Sequence, residues 1–185
     1  GVLNLGIEGT MLFGAAVGFL TTLATGNLWL GVFAAALAGI ALSLIMAVLA
    51  VYLGLSQHVS GLGITIFASG LAMFVYRLVV GSPIVPPVIT PFKPIAIPLL
   101  SRIPILGGSF FTQYSLTYLT WALIPLVTIF LFKTRAGLRV RTIGQNPFAA
   151  DTVGVNVNLT RTLCLAAGGA FFGVAGAFLT LAHQN

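Results

Sequence analysis

The sequence predicts an all-α membrane protein, a polytopic bundle of about five apolar helices. The chain of 185 residues is 58% hydrophobic and only 5% charged, whereas about 25% of the residues of a soluble domain are charged. Its apolar segments reach the length of about 20 residues that a membrane-spanning helix needs. In lipid, such segments satisfy their backbone hydrogen bonds most economically as helices. These observations exclude a water-soluble globule.

The five apolar segments are named A to E in chain order. A tight Gly26-Asn27 turn separates A from B, and a short polar stretch, residues 54–60, separates B from C. None of the segments contains a run of charge. Their expected bounds are 7–25 for A, 28–53 for B, 61–80 for C, 114–132 for D and 162–182 for E.

Segments A and E are rich in small residues, among them Gly14 and Gly18 in A and Gly173 in E. Such spacing lets helix backbones approach closely within a multi-helix bundle. Residues 13–21 (FGAAVGFLT) and 172–180 (FGVAGAFLT) also share six of nine positions. This likeness is either a trace of the internal repeats that transporters carry or a coincidence of low complexity, and coincidence is favoured.

Residues 81–113, between C and D, are rich in proline. Prolines at this density prevent a regular spanning helix and push the residues before them to extended conformations. We therefore expect an external loop, in which residues 95–100 could dip into the membrane interface.

The polar interval 133–161, between D and E, sets the expected orientation. It contains five of the eight basic residues, whereas loop 81–113 contains only Lys93 and Arg102. Basic residues accumulate on the cytoplasmic side, so we expect the interval and the N-terminus in the cytoplasm. The basic residues are too sparse for a nucleic-acid partner, and membrane lipid is the expected surrounding. Because the chain starts at Gly1 without an initiator methionine, we expect a fragment of a longer membrane protein whose flanking helices are missing.

Within this interval, Asn146-Pro147 followed by Gly154 predicts a short helix. Asn146 is suited to cap it, Pro147 to occupy its first position and Gly154 to end it. A helix of about two turns is not stable alone in water, so it needs a partner surface or packing from the rest of the loop. The alternative is a basic loop, with Arg139 and Arg141, that only fixes the topology.

Glu8 is the first candidate for a functional side chain, because it lies where segment A begins. A carboxylate inside a membrane is costly and is a functional candidate by default. Stabilisation by the positive end of helix A explains it equally well. Gln57, His58 and Ser60 form a second candidate, because a broken helix can present such groups to a polar substrate. Thr65 and Ser69, four apart on segment C, could line a path. An ordinary turn with back-bonded hydroxyls is the plainer explanation.

No catalytic arrangement is visible in the sequence. Only two carboxylates occur, Glu8 and Asp151, and the phosphate-binding GxxxxGK[ST] pattern is absent. We therefore expect neither an enzyme nor a cofactor or metal bound by this chain.

Three stretches of the chain resemble a known family. Residues 137–157 (GLRVRTIGQNPFAADTVGVNV) are similar to the cytoplasmic coupling loop of the membrane subunits of ATP-binding-cassette importers, in the group that serves ribose, nucleosides and branched-chain amino acids. Residues 1–15 (GVLNLGIEGTMLFGA) and 56–71 (SQHVSGLGITIFASGL) resemble the nucleoside or simple-sugar branch of that group.

The resemblance implies a single permease domain, residues 1–185, in the cytoplasmic (inner) membrane. It would work with a second permease subunit, two cytoplasmic ATPases that use ATP, and an external solute-binding lipoprotein. The resemblance assigns ATPase coupling to residues of the polar interval: Arg139, Arg141, Asn146, Pro147, Phe148, Asp151, Val153 and Gly154. Its matching stretches make Asn4, Glu8, Gln57 and Ser60 candidates for the translocation path, and Thr65 joins them as a hydroxyl that could line it.

Three other functions stay open at this stage. The first is an importer permease for branched-chain amino acids. The second is an ion-coupled secondary transporter in which Glu8 is the coupling carboxylate. The third is a membrane scaffold that transports nothing and offers interval 133–161 as a docking site.

Overall fold

A computed structural model describes residues 2–81, 87–96 and 112–182. Within them lie seven α-helices, α1 to α7, and two short antiparallel strands. The bounds are Ile7–Thr25 (α1), Leu28–Ala47 (α2, continued by a π-helical turn, Val48–Tyr52), Gln57–Val80 (α3), Ser115–Lys133 (α4), Arg135–Gln145 (α5), Pro147–Thr152 (α6), Val157–Ala182 (α7), Ile95–Ala96 (β1) and Thr112–Gln113 (β2).

Five of the described helices are long and apolar enough to cross a bilayer: α1, α2 with its π-helical turn, α3, α4 and α7. The predicted polytopic helical bundle is thereby confirmed. Two predicted starts are wrong, because α3 begins at Gln57 instead of residue 61 and α7 at Val157 instead of 162. The cause at α7 is a cap: the Asn156 side-chain oxygen accepts a hydrogen bond from the Leu159 amide at 2.9 Å. Capping groups, and not the edge of the apolar stretch, set where a helix begins.

The core of the bundle is a close contact of α1, α2 and α7, in which backbones meet at glycines. A Cβ atom added at Gly14 would lie 2.7 Å from the Gly173 Cα. A Cβ at Gly39 would run into the Gly169 carbonyl. The predicted role of small residues in helix contacts is therefore confirmed, since larger side chains at these positions would hold the helices apart.

These contacts also fix the directions of the helices. Gly14 of α1 faces Gly173 of α7, and Gly18, one turn later, faces Ala177. The two helices therefore run parallel, and the similar nonapeptides 13–21 and 172–180 lie side by side in register. Both helices use the same small residues on the two sides of one contact, which gives their likeness a packing cause.

Helix α3 runs parallel to α1, and α2 runs antiparallel to both. Gly9 of α1 lies against Thr65 of α3, and the Phe19 and Tyr76 rings meet ten residues further along, 6.1 Å apart. The starts of α1, α3 and α7 therefore share one end of the bundle with α5 and α6. We call this the α6 end.

Helix α4 stands apart from the bundle along most of its length. It is joined to α7 near its start, where Leu116 is buried and the Tyr114 ring lies 6.0 Å from that of Phe178. Beyond this contact, an apolar cleft of about 850 Å³ separates α4 from α7. Pro125 lies inside α4, where it removes one backbone hydrogen bond.

The described part of the proline-rich loop closes the end opposite the α6 end. Ile89 and Phe92 are buried there, and the Phe92 amide donates a hydrogen bond of 2.9 Å to the Leu181 carbonyl of α7. The Phe92 ring also packs edge-on against Trp29. No described residue of this loop is helical, as the prolines predict. The predicted interfacial stretch 95–100 lies mostly outside the described residues.

Candidate functional site

The polar interval 133–161 contains two helices, and only one of them was predicted. Helix α5 was not predicted, because Arg139 and Arg141 were considered only as basic residues upstream of the short helix. Thr134 starts this helix: its hydroxyl accepts a hydrogen bond from the Gly137 amide at 3.0 Å. Gly137 packs against the last backbone turn of α4. Ile143 is buried, at 3% exposure, so α5 lies on the bundle with an apolar face.

Helix α6 has the start and stop that the sequence predicts. The Asn146 side-chain oxygen accepts a hydrogen bond from the Ala149 amide at 3.1 Å, and Pro147 is the first helical residue. Gly154, with φ of +80°, is in the left-handed region that ends a helix. Ala150 is buried against the rest of the chain.

Helix α6 and the residue that follows it expose two large apolar side chains. Phe148 is 84% exposed and Val153 is 77% exposed. Asp151 is exposed on the same short helix and has no ion-pair partner in the described part of the chain. Two apolar side chains and a carboxylate thus project from an element too short to be stable by itself. This combination is typical of a surface that a partner covers.

The two arginines predicted to contact a partner differ in their surroundings. Arg139 is exposed on α5. The Arg141 guanidinium lies 4.9 Å from the centre of the Phe132 ring, a cation–π contact that ties α5 to the end of α4. Arg141 therefore has a role within the chain besides any contact with a partner.

A cavity of about 650 Å³ lies beside α6, between Phe148, Asp151 and Arg161. The Arg161 Nε is buried and has no hydrogen-bond partner among the described residues. Arg161 is a candidate that sequence reasoning counted only as a topogenic charge. The sequence could have indicated Arg161 by its position, five residues after Asn156 and on the first turns of a capped helix.

Four of the five residues predicted for the translocation path lie together where the N-terminal segment meets the start of α3. The Leu3 amide donates a hydrogen bond of 2.7 Å to the Gln57 side-chain oxygen. The Thr65 hydroxyl lies 3.2 Å from the Leu5 carbonyl and donates to it. The Asn4 side-chain oxygen accepts from the Gly6 amide at 2.9 Å. Ser60 is nearby in sequence but only 7% exposed, so a solute reaches it only if the helices separate.

Glu8 is the second residue of α1 and its side chain is exposed. It lies in the first turn, where the helix dipole stabilises a negative charge. In the described part of the chain it has no charged partner. This position agrees with the simpler of its two explanations.

The path residues and the polar interval adjoin each other. A cavity of about 340 Å³ at the α6 end is bounded by Asn4, by Val140 and Ile143 of α5, and by Cys164 of α7. The N-terminal segment therefore lies between α5 and α3 and joins the two predicted sites into one region. Among the residues that the structure describes, no group of three or more His, Cys, Asp or Glu side chains could hold a metal.

Comparison with known proteins identifies the family. Residues 1–185 match the family described as branched-chain amino acid transport system / permease component. A Haloferax volcanii protein, provisionally named as the glucose ABC transporter permease protein TsgC13, is 40% identical over 189 residues, which cover 100% of this chain and 56% of that protein.

Two further relatives carry nucleoside names. The guanosine ABC transporter permease protein NupQ of Bacillus subtilis is 38% identical over 183 residues, 95% of this chain and 57% of the relative. The nucleoside ABC transporter permease protein NupC of Lactococcus lactis is 37% identical over 186 residues, 96% of this chain and 58% of the relative. No solved structure matches the chain significantly.

The chain thus spans somewhat more than half the length of these relatives, from 56% to 58%. The family match covers every residue of the sequence. It confirms the resemblance that the three sequence motifs indicated. The chain is a multi-pass membrane protein and belongs to the branched-chain amino acid transport system / permease component family.

Proposed function

We propose that the chain is part of the permease subunit of an ATP-driven importer for a nucleoside or a simple sugar. The observation that carries this proposal is the exposed, capped helix α6 on a chain that matches the permease family throughout. The names of the relatives support the substrate class, because two refer to nucleosides and one to glucose. ATP hydrolysis belongs to a partner subunit.

The protein lies in the cytoplasmic membrane with the α6 end in the cytoplasm. The basic residues support this orientation: Lys133, Arg135, Arg139, Arg141 and Arg161 all lie at that end. The described loop at the other end has Lys93 as its basic residue. Such a bias is typical of cytoplasmic loops.

Helix α6 docks in a groove of the ATPase. Burial of an exposed phenylalanine contributes about 2 kcal/mol, and Phe148 and Val153 together supply an apolar anchor on one short helix. Asp151 and Arg139 would pair with charged groups at the rim of the groove. One such helix from each of two permease subunits would engage two ATPases, and an external lipoprotein would deliver the solute.

Movement of α6 would reach the translocation path through α5 and the N-terminal segment. Helix α5 lies between α6 and Asn4, and the Leu3 amide is bonded to Gln57 at the start of α3. A shift of α5 therefore displaces the residues that hold Gln57 and Thr65 in place. This arrangement supports a two-state, rigid-body coupling between ATPase closure and the path.

The experiment that tests the proposal is reconstitution of the full-length permease with its ATPase and binding protein. Asp151→Arg combined with Phe148→Ala should reduce ATPase association and ATP-driven uptake at least tenfold. Phe74→Ala is the matched control, since Phe74 is 62% exposed on α3 and distant from α6 in the chain. Unchanged association and uptake in the double variant would overturn the coupling role of α6.

A further inference from the structure

Another cavity lies beyond the predicted path residues, further along α3. On this helix, Ser69 and Tyr76 follow Thr65 at spacings of four and eleven residues, which places the three side chains on one face. The cavity has a volume of about 340 Å³, is partly open and is lined by α1, α3 and α7, with Pro87 of the loop beside it. Ligand pockets in proteins have volumes of about 300 to 1,000 Å³.

The lining of this cavity is aromatic and apolar, with a few hydroxyl groups. The Tyr76 ring lies at its wall and packs against the buried Phe19 ring, 6.1 Å away and tilted by 40°. Among the described residues, the Tyr76 hydroxyl has no hydrogen-bond partner. No charged residue belongs to the described lining. Such a site suits a neutral molecule with a flat apolar face.

The hydroxyls of Ser69 and Thr180 can still accept hydrogen bonds. Ser69 donates its proton to the Thr65 carbonyl at 2.7 Å, and Thr180 donates to the Ala177 carbonyl at 3.2 Å. Each oxygen therefore keeps lone pairs that point away from its own bond. Together with the Tyr76 hydroxyl, they offer a small set of polar contacts near the aromatic wall.

We propose that this cavity is a nucleoside-binding site, in which the base lies against the Tyr76 ring and the hydroxyls of Ser69 and Thr180 accept hydrogen bonds from the ribose. The assignment rests on the proposed transport function and narrows its substrate. Any nucleobase can stack on an aromatic ring, because every base has a π face. A hexose exposes hydroxyls around its whole ring, and the described lining offers no charged or amide side chain to satisfy them.

The site continues the predicted path. Gln57 and Thr65 lie towards the α6 end, and Ser69 and Tyr76 lead from Thr65 towards the proline-rich loop. A nucleoside that leaves the cavity in the direction of the α6 end therefore next meets the polar groups held by the N-terminal segment. The cavity is the outer binding position on the path, and the region around Gln57 is the inner one.

Thiol protection in the full-length transporter tests the site directly. In a Cys164→Ser background, Ser69→Cys is treated with a membrane-permeant thiol reagent in the presence of guanosine, uridine or glucose. We expect either nucleoside to slow labelling at least fivefold and glucose to leave it unchanged. Gly70→Cys is the matched control, since Gly70 is the next residue of α3 and has open space around it. Its labelling should not respond to any of the solutes.

A second variant tests the contact with Tyr76. Tyr76→Phe keeps the ring and removes the hydroxyl, so we expect the KM for nucleoside uptake to rise about fivefold, the effect of one lost neutral hydrogen bond. Maximal uptake should stay within twofold of wild type. Tyr52→Phe removes a hydroxyl from an exposed tyrosine outside the cavity and should change neither quantity.

The outcomes separate the site from the transport function. Equal labelling of Ser69→Cys with and without nucleosides, in a transporter that imports nucleosides, would overturn the site and leave the function standing. Protection by glucose alone would replace the nucleoside with a sugar and overturn the assignment. Protection by nucleosides in a protein that shows no ATP-driven uptake would support the site and refute the proposed function.

Discussion

The contact between α1 and α7 predicts a steep loss of stability on a single-methyl substitution, Gly14→Ala. The new Cβ would lie 2.7 Å from the Gly173 Cα and 2.8 Å from the Gly173 carbonyl oxygen. Carbon atoms in contact prefer about 3.5 to 4.0 Å, so the two helices must separate by about 1 Å. Both colliding atoms are backbone, and no flexible side chain can move aside.

The cost can be estimated from two opposing effects. Overpacking a close-packed contact costs about 1 to 3 kcal/mol, and replacing glycine by alanine in a helix regains up to about 1 kcal/mol. The net expectation is a loss of about 1 to 2 kcal/mol. In a domain of this size, 1 kcal/mol corresponds to about 2 to 4 °C in Tm, so Tm should fall by about 2 to 8 °C.

Two glycines of the same helices complete the series. A Cβ at Gly18 would lie 3.2 Å from the Ala177 Cβ, and one at Gly168 would lie 3.7 Å from the Phe172 ring. Gly18→Ala should therefore cost less than Gly14→Ala, and Gly168→Ala should be neutral or slightly stabilising. Thermal unfolding of the three variants in the same detergent or nanodisc measures the order. Equal Tm values for Gly14→Ala and Gly168→Ala would refute the close approach of α1 and α7.

Three further predictions concern the α6 end. Asn146→Ala removes the cap of α6 at a cost of about 1 kcal/mol, so the affinity for the ATPase, measured by titration, should fall about fivefold. Asn146→Ser can still cap the helix and should keep most of the affinity. Equal losses of affinity in both variants would contradict capping. Gln57→Ala removes the hydrogen bond from the Leu3 amide, worth about 1 kcal/mol. Amide hydrogen exchange at residues 3–6 should therefore become about fivefold faster. Ser56→Ala is the control and should leave the exchange rates unchanged. Glu8→Gln should leave ATP-driven uptake within twofold of wild type; loss of uptake with intact ATPase turnover would favour ion coupling by Glu8.

The spanning helices were predictable from the sequence because the lipid imposes the same requirement on each of them. A long apolar segment must satisfy its own backbone hydrogen bonds, so its length and composition suffice to assign a helix. The bounds of segment A agree with those of α1 for this reason, and its end at Gly26 carries a left-handed glycine. The starts of α3 and α7 were not predictable from hydropathy, because polar first turns extend both helices.

Helix α5 was not predicted, although its sequence contains a helical pattern of apolar residues. Its apolar positions Ala136, Val140 and Ile143 recur at spacings of four and three, which is the helical signal. The two glycines and the arginines obscured that signal, and residues 135–145 were interpreted through their charge alone. By contrast, Asn146, Pro147 and Gly154 predicted α6 correctly, because capping is a local property of a few residues.

The relations between distant parts of the chain could not be inferred from the sequence. The bond from the Leu3 amide to Gln57 joins residues 54 positions apart. The buried Nε of Arg161 and the cavity around Tyr76 arise from the packing of several helices. Residue types marked Gln57 as a polar candidate, but only the folded chain brings it beside the N-terminal segment.

The hydrogen bond from the Phe92 amide to the Leu181 carbonyl has a mechanical consequence. With 26 residues, α7 is a rod of about 39 Å. Its first turns carry Arg161 beside α6, and its last carbonyls hold the loop at the other surface. A rod fixed at both ends carries an axial displacement from one face of the membrane to the other without needing intermediate hinges. In the proposed importer, motion at the α6 end would therefore be transmitted through α7 to the loop at the opposite surface.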